Sequence, residues 1–124
     1  MGLMNAVLGN ASEIAPDQGA AESGLALVSG ERVEKAYKLI RDLILFTDRR
    51  LIIVDKQGLT GKKVEHHSIP YRSITHFSIE TAGTFDLDAE LNVFVSGGAM
   101  YQKTFGKGVD IGQVQAVLAG YILR

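Results

Sequence analysis

The sequence predicts a mainly β domain: a bent antiparallel sheet or partly open barrel of seven strands, capped by a C-terminal α-helix and preceded by short N-terminal helices. Seven short segments rich in Val, Ile, Thr, Tyr and Phe lie between residues 33 and 105, separated by turn residues. The connections KQGLTGKK and SGGA are short and contain glycine, which is typical of hairpins. The segment DIGQVQAVLAGYILR has the apolar spacing of one amphipathic helix.

The first 29 residues differ from the rest in composition and charge. They are rich in Ala, Gly and Ser, and all thirteen Lys and Arg residues follow Gly30. Apolar residues at helical spacing predict two short helices, interrupted near Pro16. These residues are Leu3, Met4, Val7 and Leu8, and then Ala21, Leu25 and Val28. We therefore predict a helical extension over residues 1–29 and one folded domain over residues 30–124, a length that suits a single domain.

The C-terminal segment carries signals for where its helix begins and what it covers. Asp110 and Gln113 stand at the N-cap and N3 positions of a capping box. We expect the apolar stripe of this helix to pack over the open mouth of the sheet. The residues expected in this contact are Val114, Leu118 and Tyr121 on the helix and Phe77, Ile79 and Val93 on the strands.

Composition argues against several classes of function. With 46% apolar and 22% charged residues, the chain is typical of a soluble globular protein. It contains no cysteine, which excludes disulfides, thiolate metal sites and cysteine nucleophiles and fits a cytoplasmic location. No apolar run approaches the roughly 20 residues that a membrane-spanning helix needs. No serine lies in a nucleophile-elbow sequence and no pair of carboxylates suggests acid–base chemistry, so we predict that the protein is not an enzyme.

The loop GLTGKK at residues 58–63 resembles a phosphate-binding sequence but lacks the required spacing. A Walker loop has four residues between its glycines, whereas two residues separate the glycines here. The G-x-x-G loop of nucleic-acid-binding KH domains lies between helices, whereas this loop joins strands, so we predict no nucleic-acid binding. We interpret the loop as a plain hairpin turn. The alternative is an anion site formed by Lys62 and Lys63 with Arg49 and Arg50.

Two features resemble metal sites but do not match them closely. His66 and His67 are neighbours on a strand, so their side chains point to opposite faces and cannot bind the same ion. The row Asp86, Asp88 and Glu90 resembles the start of an EF-hand loop, but a leucine and a glycine stand where that loop needs its glycine and its final glutamate. We therefore predict no metal and no cofactor, and we expect the acidic row to meet cationic residues.

Two predicted strands are apolar on both faces. In LILFT, Leu43 and Leu45 face one side while Ile44 and Phe46 face the other, and RLIIVD shows the same pattern. Such strands must be covered on both sides, either by the N-terminal segment of the same chain or by another subunit. The candidate subunit interface consists of Ile44, Phe46, Ile52, Val54, Asp86, Asp88 and Glu90.

The stretches RDLILFTDRRLIIVDKQGLTGKK and ETAGTFDLDAEL, with KTFGKGVDIGQVQAVLAGYIL further on, are similar to those of the bacterial pleckstrin-homology (PH)-like domain family. The similarity covers nearly all of residues 30–123. It implies a cytosolic domain with a PH-like fold and no known catalytic activity. It also implies that the chain assembles into a cyclic ring, a pentamer, and acts through contacts with an unknown protein partner. The resemblance favours coverage of the doubly apolar strands by both the N-terminal segment and another subunit.

Binding of phosphoinositides or other anionic lipids is the alternative function. Eukaryotic PH domains that bind phosphoinositides cluster basic residues on the loop between their first strands. In this sequence Lys35, Lys38 and Arg41 are dispersed, and Arg49 and Arg50 are neighbours that point to opposite faces of a strand. We therefore predict a protein-binding ring in preference to a lipid-binding module.

Overall fold

The computed structural model describes residues 12–57, 62–81, 88–106 and 108–123, which form two antiparallel sheets and two helices. The strands of the five-stranded sheet are, in spatial order, β1 (Ser12–Ile14), β2 (Val33–Lys38), β3 (Leu43–Thr47), β4 (Arg50–Gln57) and β5 (Lys63–Pro70). Those of the three-stranded sheet are β6 (Ile74–Thr81), β7 (Ala89–Val95) and β8 (Met100–Phe105). The helices are α1 (Pro16–Ser23) and α2 (Ile111–Ile122).

The predicted mainly β, PH-like fold with a C-terminal helix is confirmed, and the seven predicted strands are present as β2 to β8. The described strands do not close into a barrel. A single 3₁₀ turn, Tyr71–Ser73, connects β5 to β6, and the two strands are not hydrogen-bonded to each other. Pro70 ends β5 at this point, because proline has no N–H to donate to a strand ladder.

The N-terminal segment differs from the prediction. The first predicted helix lies outside the described residues, and Pro16 begins α1 because proline is well suited to the first helical position. The helix ends after Ser23, where Gly24 takes a left-handed conformation with φ of 67°, so Leu25 lies beyond it. Strand β1, which we did not predict, pairs with β2.

Two apolar cores lie on opposite faces of the five-stranded sheet. The inner core lies between the two sheets and α2, and its buried members include Tyr37, Ile44, Phe46, Leu51, Ile53, Val93 and Phe105. The outer core consists of Ala36, Leu43, Leu45, Ile52 and Val54, against which Ile14, Leu25, Leu27 and Val33 pack. Strands β3 and β4 are therefore covered on both faces by their own chain.

Helix α2 begins at the predicted N-cap and packs as predicted, but only half of the predicted capping box is formed. The Asp110 side chain accepts a hydrogen bond from the Gln113 backbone N–H at 3.2 Å. The Gln113 side chain does not return to the cap, since its amide lies 3.0 Å from Tyr37 Oη. Val114 and Leu118 are completely buried in the inner core. Val93 is buried there too, and the partly buried residues packed against this core include Phe77, Ile79 and Tyr121.

Helix α1 lies so close to β2 that Gly19 has no room for a side chain. A Cβ atom at Gly19 would lie 2.5 Å from the Cβ of Ala36. We expect Gly19→Ala to displace α1 from the outer core and to lower the free energy of unfolding by about 1 to 3 kcal/mol, as other overpacked contacts do. Chemical denaturation of the purified variant measures this change.

Gly120→Ala in α2 is the matched control, because a Cβ atom there would meet nothing within 4 Å. Its stability should equal or exceed that of the wild type, since alanine favours the helix. Adding Ala36→Gly to Gly19→Ala should restore part of the lost stability. A Gly19→Ala protein as stable as the wild type would contradict this close contact.

Candidate functional site

A polar cleft of about 390 Å³ lies where the β2–β3 hairpin, the end of β4 and strand β8 meet. Three of its charged side chains are largely buried: Asp42, Asp55 and Lys103 are 21%, 23% and 14% exposed. Asp42 lies in the hairpin turn, Asp55 on β4 and Lys103 on β8. The cleft is therefore built by both sheets together.

Lys103 is held between the two carboxylates of the polar cleft. Its Nζ donates to Asp42 Oδ2 at 3.0 Å and also to Asp55 Oδ1. Burial lowers the pKa of Lys103, but the hydrogen bonds and charges of the two aspartates outweigh burial and raise that pKa overall. Lys103 is consequently charged at neutral pH, and the cleft has no uncompensated lysine at this position to attract an anion.

Asp42 also organises the hairpin that forms one wall of the cleft. Its Oδ1 accepts a hydrogen bond from the Lys56 backbone N–H at 3.0 Å, and its backbone carbonyl accepts one from the Leu39 N–H at 2.8 Å. The Asp42 side chain thus links the hairpin turn to strand β4 and also binds Lys103. Neither Asp42 nor Lys103 was predicted from the sequence to have a role.

Beside the cleft, Asp55, Glu65 and His67 converge on the inner face of the five-stranded sheet. Asp55 and Glu65 are directly opposed in the β4–β5 register, and His67 shares their face because it lies two residues after Glu65. The His67 Nε2 atom lies 3.2 Å from Glu65 Oε1 and 3.8 Å from Asp55 Oδ2. From the sequence, we compared His67 only with His66 and overlooked the alternate spacing of Glu65 and His67.

The four basic residues considered for an anion site are not brought together. Lys62 and Lys63 are exposed at the start of β5. Arg49 and Arg50 lie at the opposite end of the β4–β5 pair, about 23 Å away at the usual rise per strand residue. These residues therefore cannot bind one small anion together.

The Arg50 side chain forms several hydrogen bonds within the chain. Its Nε donates to Glu31 Oε2 at 2.9 Å, and its other nitrogens donate to Ser68 Oγ at 2.9 Å and to the Ala26 carbonyl at 3.0 Å. The Glu31 side chain is fully buried. Arg50 thereby joins the segment that precedes β2 to strands β4 and β5. Arg50 therefore has a structural role, whereas Arg49 is exposed, and the ligand-binding role of both residues stays a prediction.

The structure also separates the apolar residues of the candidate subunit interface. Ile44 and Phe46 belong to the inner core, Ile52 and Val54 belong to the outer core, and all four are at most 1% exposed. The β3–β4 register explains the separation, because it pairs Ile52 with Leu45 and so places it on the face opposite Phe46. These four side chains offer no exposed surface to a neighbouring subunit.

The acidic part of the candidate interface lies near the β6–β7 connection. Asp86 lies outside the described residues, and Asp88 is exposed. Glu90 is half-buried on β7, directly opposite Glu80 of β6, and accepts a hydrogen bond from Gln102 Nε2 at 3.2 Å. Asp88 and Glu90 thus contribute to an acidic surface at one end of the three-stranded sheet.

Two antiparallel sheets, a C-terminal helix over their shared core and a polar cleft between them define a PH-like domain. The family model described as "Bacterial PH domain" matches residues 2–122, and the chain belongs to that family. The chain is 53% identical over 121 residues to uncharacterized protein YjqA of Bacillus subtilis, an alignment that covers 96% of this chain and 97% of YjqA.

Two crystal structures are closely similar. One is a DUF1696-family protein with a pleckstrin-homology domain from Shewanella loihica, with 48% identity, a TM-score of 0.79, and coverage of 92% of this chain and 98% of that chain. The other is a pleckstrin homology domain from Shewanella amazonensis, with 48% identity, a TM-score of 0.78, and coverage of 98% and 99%. Within the described part of this chain, neither helix is long and apolar enough to cross a membrane.

Proposed function

We propose that this PH-like domain is a non-enzymatic scaffold module, which assembles with copies of itself into a closed ring and presents its polar cleft to a protein partner. The main support for this assembly is the unpaired edge of β6. Within the described residues, β6 pairs only with β7. Its sequence ITHFSIET contains neither the lysine nor the proline that commonly protect sheet edges, whereas β5 begins with Lys63 and ends with Pro70.

Incomplete burial along β6 supports the same proposal. Phe77 and Ile79 pack against the inner core but remain partly exposed at this edge of the sheet. A strand from a neighbouring subunit would bury both side chains further and would pair with the free backbone groups of β6. The edge therefore offers apolar burial and hydrogen bonds at the same place.

The charge distribution favours a head-to-tail contact. Residues 31–72 contain ten basic and six acidic residues, whereas residues 73–109 contain two basic and four acidic residues. A basic surface of one subunit would thus complement an acidic surface of the next, and repeated head-to-tail contacts close into a ring when the rotation permits. Following the family resemblance, we expect a pentamer.

A protein partner suits the polar cleft better than an anionic lipid does. Asp42 and Asp55 already neutralise Lys103, so phosphate groups would meet two carboxylates there. Lys62 and Lys63 are exposed and distant from the two arginines that were considered with them. A polypeptide could use both the carboxylates and the neighbouring polar groups as hydrogen-bond partners.

Ile79→Lys is expected to convert the ring into folded monomers, because a charge pointing inward at a strand edge opposes pairing with another strand. Size exclusion coupled to light scattering at micromolar concentration should give a mass near five chains for the wild type and one chain for the variant. Circular dichroism should show that the variant retains its β-sheet.

Met100→Lys is the control for this experiment. Met100 is also a large apolar side chain, 48% exposed, but it lies on β8, at the other edge of the three-stranded sheet. The Met100→Lys protein should therefore remain a ring. A wild-type mass of one or two chains, or a ring that survives Ile79→Lys, would refute assembly through β6.

A further inference from the structure

We propose that Asp55, Glu65 and His67 form a binding site for one divalent transition-metal ion, for which Zn²⁺ is the best match. This site lies beside the polar cleft and does not depend on the assembly proposed above. Each residue supplies one ligand atom: Oδ2 of Asp55, Oε1 of Glu65 and Nε2 of His67. One potential ligand atom from each of the three residues lies within 4.8 Å of those of the other two.

The spacing of these atoms suits a small metal ion. Tetrahedral zinc binds nitrogen and oxygen ligands at about 2.0 to 2.2 Å, which places neighbouring ligands about 3.3 Å apart. His67 Nε2 already lies 3.2 Å from the Glu65 oxygen and 3.8 Å from the Asp55 oxygen. Glu65 has a side chain that is 55% exposed, so small rotations of this residue can complete the geometry. Three protein ligands leave the fourth position to water.

The strands and the neighbouring side chains hold the three ligands in place. Asp55 and Glu65 are directly opposed across β4 and the edge strand β5, whose backbones are hydrogen-bonded to each other. Lys103 binds Oδ1 of Asp55, which leaves Oδ2 directed at His67. Gln57 Nε2 donates to Glu65 Oε1 at 3.3 Å, and so orients this carboxylate. Such outer contacts fix the ligands of many metal sites.

Charge and ligand type both favour a divalent transition metal. The group contains the carboxylates of Asp42, Asp55 and Glu65 but only the ammonium of Lys103, which leaves two negative charges when His67 is neutral. One divalent ion neutralises them. An imidazole nitrogen with two carboxylate oxygens suits zinc, whereas Mg²⁺ and Ca²⁺ prefer oxygen ligands throughout. A proton on His67 would also hold the three side chains together, and it competes with the metal for Nε2.

Isothermal titration of the chelator-treated full chain with ZnCl₂ at pH 7.5 tests this site. We expect one ion per chain, and at least about tenfold weaker binding in both His67→Ala and Glu65→Gln. The control is His76→Ala, because His76 is exposed on the three-stranded sheet, where its ring stacks on Phe94 at a centroid distance of 4.2 Å. This control should bind Zn²⁺ as the wild type does.

Thermal denaturation gives a second readout. Zn²⁺ should raise the melting temperature of the wild type and of His76→Ala, and it should raise that of Glu65→Gln less at the same ZnCl₂ concentration, because an ion that binds only the folded state stabilises it in proportion to its affinity. Glu65 is largely exposed, so the Glu65→Gln protein should fold normally even if His67→Ala does not. No binding by the wild type at millimolar ZnCl₂, or equal binding by wild type and Glu65→Gln, would overturn the proposal.

Discussion

Glu31→Gln is expected to lower the free energy of unfolding by about 3 to 5 kcal/mol at pH 7, because it removes one partner of a buried ion pair. The Glu31 carboxylate accepts hydrogen bonds from Arg50 Nε at 2.9 Å, from Thr47 Oγ1 at 2.7 Å and from the Val28 N–H at 2.9 Å. The variant leaves Arg50 without its anion, in a position where its side chain is only 20% exposed. Urea denaturation at pH 7 measures the loss.

The same substitution should change how stability depends on pH. Burial raises the pKa of Glu31, but its bonds to Arg50, Thr47 and Val28 outweigh burial and lower that pKa from 4.5 to about 2. The unfolded chain therefore binds this proton more readily than the folded protein does. The stabilisation is fully present above about pH 4.5 and is lost as the pH falls towards 2. The wild type should lose stability more steeply than Glu31→Gln over this interval.

Glu34→Gln is the matched control for both measurements. Glu34 forms an ion pair with Arg32 at 3.6 Å, but both side chains are exposed, at 39% and 76%. Exposed pairs contribute little, so stability at pH 7 should change by less than about 1 kcal/mol. If Glu31→Gln and Glu34→Gln behave alike at pH 7, the Glu31–Arg50 pair does not hold the N-terminal segment in place.

Leu118→Ala is expected to lower the free energy of unfolding by about 2 to 5 kcal/mol, as buried leucine-to-alanine substitutions do. Leu118 lies on α2, where it is completely buried and packs in the inner core. Removing its side chain leaves a cavity between this helix and the two sheets. Thermal and chemical denaturation, followed by circular dichroism, measure the effect.

Leu123→Ala makes the same chemical change at a site where Leu123 is 78% exposed. It should therefore leave the midpoint of unfolding nearly unchanged. An unchanged melting temperature in Leu118→Ala would show that α2 does not depend on this contact. Similar losses in both variants would show that the loss does not come from the buried contact of Leu118.

The strands could be predicted because their signals are local. The β-branched and aromatic segments and the glycine turns lie within a few residues of each other, and they defined β2 to β8. Strand β1 could not be recognised, since three residues carry too little periodicity. The sequence showed that β3 and β4 are apolar on both faces. Which face of β3 lies beside which face of β4 depends on the register of the two strands. That register places Ile52 beside Leu45 and away from Phe46.

The candidate site was largely hidden in the sequence because its residues come together only when the sheets pack. Asp42 and Lys103 are 61 positions apart, and Asp55 and Lys103 are 48 apart. No local motif joins them. The Glu65–His67 spacing was visible, but their meeting with Asp55 requires the β4–β5 register. Arg50 appeared to be a candidate ligand residue because sequence alone does not reveal its buried partner, Glu31.

The sequential strand order has a consequence for how the chain folds. Among the described residues, every hydrogen-bonded strand pair joins strands that follow one another in the chain, from β1 to β5 and again from β6 to β8. The pairings from β2 to β5 and from β6 to β8 therefore close short loops and cost little chain entropy, whereas β1 meets β2 across residues 15–32. The long-range contacts arise when the two meanders and α2 come together around the inner core. We expect hairpins to form early and their docking to limit the folding rate.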